Sequence, residues 1–117
     1  MEEAYFHETI EEWITHCRTA EVLFSSSSKP VRDCEAYRTI VAMGSEALPF
    51  IRQVYDRDRS KDDALGIVQL QGLVDLVSEI VGDDFQIPEE IQGNMPEIEE
   101  YTKRWLDKNI QRSVHHR

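Results

Sequence analysis

Long hydrophobic runs are missing from this 117-residue chain, because charged residues interrupt the apolar stretches before they reach the roughly 18 to 20 residues that a membrane-spanning helix needs. The opening residues, MEEAYFHETIEE, lack the basic start of a signal peptide. Cysteine is scarce too, since Cys17 and Cys34 are the only two and cannot form a disulfide framework. We interpret both as reduced thiols in or near the core, and we expect a cytoplasmic protein with no membrane association.

Glycine-rich loops are also absent. The five glycines stand apart, so the chain has neither a Walker loop nor the GxGxxG pattern that cradles phosphates. The one cysteine beside a histidine is Cys17, next to His16, and neighbouring residues on a helix diverge by about 100°. Nothing in the sequence favours a pairing of Cys34 with His7 or His16 through the fold. We therefore predict no catalytic residues and no cofactor, and the sequence favours a non-enzymatic role.

Basic residues are few: 13 stand against 23 acidic ones, which gives a net charge of −10. This balance opposes binding to a nucleic-acid backbone. The charge is uneven, since residues 83–100 hold seven acids and no base, whereas residues 101–117 hold five bases and one acid. We expect the partner to be another protein, one with a basic surface.

Metal-ligand signatures are incomplete as well. Glu3 and His7 are four residues apart on the first predicted helix, with Glu11 one turn further and His16 beside Cys17. Pairs of acid and histidine at this spacing are common on exposed helix faces, so we interpret them as solvated surface and predict no metal site. A small metal-binding domain or metal-dependent enzyme that uses these residues is the second hypothesis.

A calcium site is suggested by the alternating acids of DRDRSKDD, residues 56–63, which open as an EF-hand loop does. The pattern fails further on. Lys61 stands where the loop requires glycine, and Ile67 stands where it requires a bidentate glutamate. We interpret the octet as an exposed connection.

What the sequence does contain is apolar residues at steps of three and four, the spacing that places side chains on one helix face. The predicted helices cover residues 2–24, 33–43, 45–55, 64–81 and 94–112, and a serine-rich loop covers 25–29. The sequence therefore predicts an all-α, single compact domain of about five helices over residues 1–112. A flexible basic tail, 113–117, with His115 and His116, is predicted to follow where the last helix fades, near 109–112.

The most informative stretch is YRTIVAMGSEALPFI, residues 37–51, where an apolar helical stripe runs into a glycine and restarts at once. Asp33 can cap the predicted helix that precedes the glycine, and Gly44 is the natural left-handed residue at its end. Ser45 can cap the next helix, with Pro49 close to its start. We predict two short helices that meet at a tight corner, in a hairpin over residues 33–55.

The segment 64–81 is apolar around most of its circumference and stops at Gly82, so we predict that it is the central helix. Gly66 and Gly72 would each destabilise a helix interior by about 1 kcal/mol relative to alanine. They mark either a break or a close helix crossing, and the sequence does not decide between the two.

A polar connection, residues 82–93, follows the central helix and is anchored to the core by Phe85, Ile87 and Ile91. The last helix is capped by Asn94, has Pro96 in its first turn and buries Ile98, Tyr101, Trp105 and Ile110.

The stretch 25–51 resembles a family of small uncharacterised bacterial and archaeal proteins, in which a serine-rich segment precedes an I-x-x-M-G-x-x-A-L-P-x-I element. The matching residues are Ser26, Ser27, Ser28, Tyr37, Ile40, Met43, Gly44, Ala47, Leu48, Pro49 and Ile51, with later matches at Leu73, Val74, Leu76, Val77, Ile80, Val81, Gly82, Gly93, Asn94 and Trp105. The resemblance implies a prokaryotic helical protein and brings no activity. The corner is also similar to the turn between the paired helices of HEAT-like repeats, although the sequence has no evident second copy.

Three functional hypotheses follow from the sequence. The leading one is a non-enzymatic protein-interaction module, such as a regulator, an antitoxin or an inhibitor of a basic partner, since complementary charge speeds encounter. The second is the metal-binding domain described above. The third is an acidic nucleic-acid mimic, in which the carboxylates of residues 83–100 imitate phosphates.

Overall fold

Seven α-helical segments follow one another in the computed structural model, which describes residues 2–19 and 29–115, with side chains for 3–19 and 29–110. They are α1 Glu2–Cys17, α2 Lys29–Arg32, α3 Glu35–Met43, α4 Leu48–Tyr55, α5 Asp63–Ile67, α6 Leu73–Val81 and α7 Met95–His115. Five of them have eight or more residues, and the described part of the chain contains no strand, so the predicted all-α domain of about five helices is confirmed. The radius of gyration, 13.8 Å, is that of one compact unit, since about 13 Å is expected for 100 residues.

The first helix, α1, packs across α3 and α5 and supplies much of the core. The apolar stripe predicted for this helix is confirmed as far as residue 17, because five of its apolar side chains are no more than 1% exposed: Phe6, Ile10, Trp13, Ile14 and Cys17. The helix ends at Cys17, however, and not at residue 24. The Thr19 hydroxyl donates to the His16 carbonyl at 2.9 Å, a local bond that competes with helix continuation. The predicted positions 20–28, including the serine run, lie outside the described residues.

The corner at residue 44 is built differently in detail from the prediction. Gly44 has φ 71° and ends α3, as expected. A 3₁₀ turn, Gly44–Ala47, then intervenes, so α4 begins at Leu48, and Ser45 does not cap it. Pro49 lies in the first turn of α4, where its missing N–H leaves no bond unmade.

The start of α3 also corrects the sequence prediction. The residue before the helix is Cys34, without a side-chain capping bond, so Asp33 is not the cap. Lys29 and Pro30, predicted in a loop and at its end, begin the short helix α2 instead. A proline is tolerated in a first helical turn, which explains why this segment can be helical.

The central helical stretch runs without a break through α5, a π-helical turn, Val68–Gly72, and α6. Gly72 is a close crossing, because a Cβ built there would lie 2.5 Å from Cζ2 of Trp13. Gly66 is not crowded, since the nearest atom to its built Cβ is Cδ of Arg59 at 3.7 Å. Gly82 ends the stretch with φ 65°, as predicted.

Length and composition of this stretch would also suit a membrane. Asp63–Asp84 spans 22 residues and contains an 18-residue window of mean hydropathy 1.5 with at most two charged residues, so the prediction that charges interrupt every apolar stretch of this length is wrong here. In the fold, 44% of that window is buried inside the protein. A core helix passes the same test, so the stretch is weak evidence for a membrane span.

The last helix, α7, packs on α4 and on the π turn. Asn94 caps it as predicted, accepting from the Glu97 N–H at 3.2 Å. The helical backbone continues to His115, beyond the predicted fading near 109–112. Thr102 and Leu106 are fully buried on its inner face, although the sequence pattern had emphasised Tyr101 and Trp105.

The polar excursion between α6 and α7 is clamped by aromatic contacts. The predicted anchor Phe85 is 3% exposed, and its ring lies 5.9 Å from that of Tyr101 and 5.2 Å from that of Trp105. Tyr101 donates its hydroxyl hydrogen to the Gln86 carbonyl at 2.9 Å, and Trp105 donates its indole N–H to the Asp84 carbonyl at 3.2 Å. Both rings therefore hold the backbone of this connection.

Candidate binding groove at the helical corner

A groove of about 220 Å³ opens between the beginning of α1 and the corner that joins α3 to α4. Its described lining residues are Tyr5, Met43, Glu46, Ala47 and Phe50. Tyr5 is 54% exposed and is the one large hydrophobic side chain that the described residues leave exposed. The groove is thus mainly apolar, with one carboxylate among its described walls.

Phe50 lies at the groove because it is not on the face of α4 that is buried in the core. Leu48 and Ile51 are turned into the core, while Phe50, between them, is half-buried. Its ring lies 5.5 Å from the fully buried ring of Phe6, which fixes it against α1. Phe50 is therefore held by the core on one side and available on the other.

Carboxylates extend from the groove along α1. Glu8 and Glu12 follow Tyr5 by three and seven residues, so they share its side of the helix. Both are exposed, and neither side chain forms a hydrogen bond or ion pair with the described residues. Glu11, on another side of α1, is engaged with Arg57 at 2.9 Å. Glu46 in the lining and Glu8 and Glu12 beside it make the described surface at the groove acidic, and the described lining residues include no lysine or arginine.

The candidate metal ligands of the sequence are dispersed. His7 and Glu3 form a pair at 3.6 Å, but Glu11 is engaged elsewhere and Nε2 of His16 lies 2.7 Å from the Pro30 carbonyl oxygen. Within the described part of the chain, no three or more His, Cys, Asp or Glu side chains come together as a metal ion requires. The structure brings together only the first pair.

The two thiols are poorly suited to nucleophilic chemistry. Burial, and secondarily the neighbouring Cys34, raises the pKa of Cys17 to about 12. Burial also raises the pKa of Cys34, against the opposing effect of the Tyr37 and Ala36 backbone N–H groups. A nucleophilic cysteine needs its thiolate, which both environments disfavour at neutral pH.

The acids of residues 56–63 stabilise turns. Asp58 accepts from the Ser60 backbone N–H at 2.9 Å, and Asp62 accepts from the Leu65 N–H at 3.2 Å as the cap of α5. Asp62 also binds Arg18 at 2.9 Å. These carboxylates are used locally and do not converge on a common point.

A buried polar network, missed from the sequence, joins this connection to the core. Gln69 in the π turn is 1% exposed and donates to the carbonyls of Val54 and Arg57 at 2.8 and 2.9 Å. Its side-chain oxygen accepts from Arg59 at 3.0 Å, and Arg59 also makes two bonds to Glu99, at 2.6 and 3.3 Å. A glutamine inside an apolar run was the signal that could have indicated this network.

A second polar cluster joins α2, α3 and α6. The Tyr37 hydroxyl donates to the Glu79 carboxylate, and Arg32 lies 3.6 Å from Asp75. Burial raises the pKa of Asp75, and Glu79 adds to this effect while Arg32 opposes it. The cluster fixes α6 against the preceding helices.

The acidic run over 83–100 is divided among several places. Glu90, Glu97 and Glu100 line a second cavity of about 240 Å³, together with Pro88, Ile91, Tyr101 and Arg104. Glu99 instead binds Arg59, and Asp83 lies on the turn Gly82–Asp84. The proposed imitation of phosphates by this run stays a prediction.

Comparison with known proteins identifies no relative of this chain. No family model matches it, and neither does a curated protein or a solved structure. The resemblance over residues 25–51 therefore stays a prediction, and the groove is the feature from which a function can be argued.

Proposed function

We propose that this protein is a non-enzymatic interaction module that regulates or inhibits a basic protein partner, as an antitoxin does, by docking it at the groove. The observation that carries the proposal is the exposed Tyr5 ring beside the half-buried Phe50. A volume of about 220 Å³ is below the roughly 300 to 1,000 Å³ of small-molecule pockets. It suits a single anchoring side chain of another protein, the arrangement that dominates many interfaces.

The charge of the molecule supports a basic partner. A net charge of −10 attracts positively charged proteins and repels nucleic acid and other acidic surfaces, which raises the encounter rate with the correct partner. We expect this role to be carried out in the cytoplasm. The corner, where Gly44 ends one helix and Ala47, Leu48 and Pro49 lead into the next, supports a HEAT-like hairpin as the scaffold.

The test is recovery of a partner from native cell extract by three forms of the protein: wild type, Tyr5→Ser and Gln92→Ser. We expect wild type and Gln92→Ser, an exposed site in the connection before α7, to retain one stoichiometric protein that Tyr5→Ser loses. Thermal melts should show all three forms folded, because Tyr5 is 54% exposed. Recovery of no stoichiometric protein by wild type, or equal recovery by Tyr5→Ser, would contradict the proposal.

A further inference from the structure

We infer that the groove receives one large apolar side chain from a partner segment that carries lysine or arginine about one and two helical turns away. The inference rests on the proposed function and specifies the chemistry of the partner. It follows from the size of the groove and from the position of the carboxylates beside it.

The groove has the size and lining of a pocket for one anchor. Its apolar walls are two aromatic rings, Tyr5 and Phe50, with Met43 and Ala47 between the helices. Aromatic rings bury large area with defined geometry, and methionine adapts to the shape of its neighbour. An aromatic or large aliphatic side chain therefore fits these walls better than a polar one.

The carboxylates of α1 define where the cations of the partner must lie. Glu8 and Glu12 are three and seven residues beyond Tyr5, which corresponds to about 4.5 and 10.5 Å along the helix axis. Both are exposed, and within the described residues neither has an ionic partner inside the molecule. A helix that places its anchor at Tyr5 brings residues at the same separations opposite these carboxylates.

The experiment uses synthetic peptides and isotope-labelled full-length protein. One peptide carries tryptophan flanked on both sides by lysines three and seven residues away, the second replaces the tryptophan with alanine, and the third replaces the lysines with glutamates. We expect the first to shift the amide resonances of Tyr5, Met43, Ala47 and Phe50 saturably. The other two should bind at least about tenfold more weakly, since a buried anchor and complementary charge each contribute that much.

Two protein variants of equal charge isolate the carboxylates. Glu8→Gln/Glu12→Gln should weaken binding of the tryptophan–lysine peptide several-fold, whereas Asp83→Asn/Glu89→Gln, which removes the same charge from exposed positions between α6 and α7, should leave it unchanged. Equal effects of the two variants would show that only net charge matters and would overturn the inference.

The peptide results also separate this inference from the proposed function. Equal binding of the lysine and glutamate peptides, or no shift at the groove with any peptide, overturns the stated chemistry of the partner. A Tyr5-dependent partner recovered from extract would then still support the interaction module. Failure of that recovery would count against the module itself.

Discussion

A single missing side chain, at Gly72, decides how closely the first helix approaches the centre of the fold. The Trp13 ring occupies the space that a Cβ would need, and its indole N–H donates to the Val31 carbonyl at 2.7 Å. The same ring packs edge-on against Tyr37 at 5.2 Å. Trp13 thus fixes α1, α2 and α3 to one another, on condition that position 72 stays small.

Substitution of Gly72 by alanine should destabilise the protein by about 1 to 3 kcal/mol, because the new methyl group overlaps the Trp13 ring. The free-energy cost of this overlap exceeds the gain of about 1 kcal/mol that alanine brings in helix propensity. Gly66→Ala is the matched control and should be neutral or stabilising, since its Cβ has open space apart from Arg59 at 3.7 Å. Urea unfolding measures both changes, and a Gly72→Ala variant as stable as wild type would refute the close crossing.

Asp75 provides a test by pH. Its pKa is raised above the usual 3.8 in the folded protein, mainly by burial, so the folded state holds this proton more tightly than the unfolded chain. The stabilisation that the folded state gains from the protonated Asp75 is complete below pH 3.8, the usual pKa of the unfolded chain. It is lost as the pH rises through the pKa of Asp75 in the folded protein. Melting temperatures should therefore favour Asp75→Asn over wild type increasingly as the pH rises from about 4 to neutral. Asp83→Asn, an exposed change of equal charge, should show no such trend.

At the scale of the element, the π turn Val68–Gly72 combines two tasks that an uninterrupted α-helix would separate. Bonds between residues i and i+5 widen the turn and rotate the helix faces on its two sides relative to each other. Gln69 can then reach the carbonyl of Val54 in the last turn of α4 and that of Arg57 just beyond it, while Gly72 contacts Trp13. The connection between α4 and α5 is held by this turn and by the two bonds from Arg59 to Glu99.

Gln69→Leu should destabilise the protein by about 1 to 3 kcal/mol, because it removes the side-chain donor to the Val54 and Arg57 carbonyls and one acceptor of Arg59. Amide hydrogen exchange should also rise in residues 56–62, which lose their tie to the core. Gln71→Leu, in the same turn but without a side-chain bond within the described residues, should change stability by less than about 0.5 kcal/mol. Equal effects of the two substitutions would refute the role of the network.

At the scale of the whole molecule, the protein carries an excess of carboxylates, and arginines link its helices through ion pairs. Arg52 connects α4 to α7 through Asp107 at 2.8 Å, and Arg57 connects the next turn to α1. With 23 acids and 13 bases, many carboxylates have no cation to match them. Their mutual repulsion opposes the compact state.

The melting temperature should therefore rise when sodium chloride increases from about 0.01 to 0.15 M, as the screening length falls from about 30 to 8 Å. Glu89→Gln/Glu90→Gln removes two exposed charges from the acidic run and should raise the melting temperature at low salt while reducing its dependence on salt. A melting temperature that falls with salt would mean that the surface ion pairs outweigh the repulsion.

The parts of the fold that the sequence predicted depend on local rules. The stripe of α1, the glycine ends at Gly44 and Gly82 and the cap Asn94 follow from spacing and backbone preference. The parts that it missed depend on contacts between distant segments. Ser45 is displaced from its predicted capping role by a 3₁₀ turn, and Gln69 is buried because three backbone and side-chain partners from other segments meet it.

The groove was missed for the same reason. The corner was predicted as a joint between two helices, but the groove beside it is also lined by Tyr5, which comes from the beginning of the sequence and becomes adjacent only when α1 packs against the corner. The spacing of apolar residues in α1 does not show which of them lies at the border of the buried face. The exposure of Tyr5 is therefore visible only in the packed molecule.

The two tryptophans give the molecule a pair of built-in optical reporters with different surroundings. Trp13 is sealed in the core with its N–H bonded to Val31, whereas Trp105 is half-buried at the edge of α7 and bonded to Asp84. The fluorescence emission of Trp13 reports whether α1 is packed on the core. The emission of Trp105 reports its contacts with the connection between α6 and α7. Replacing Trp105 by phenylalanine leaves Trp13 as the single tryptophan, so that the fluorescence of this variant reports the packing of α1 alone.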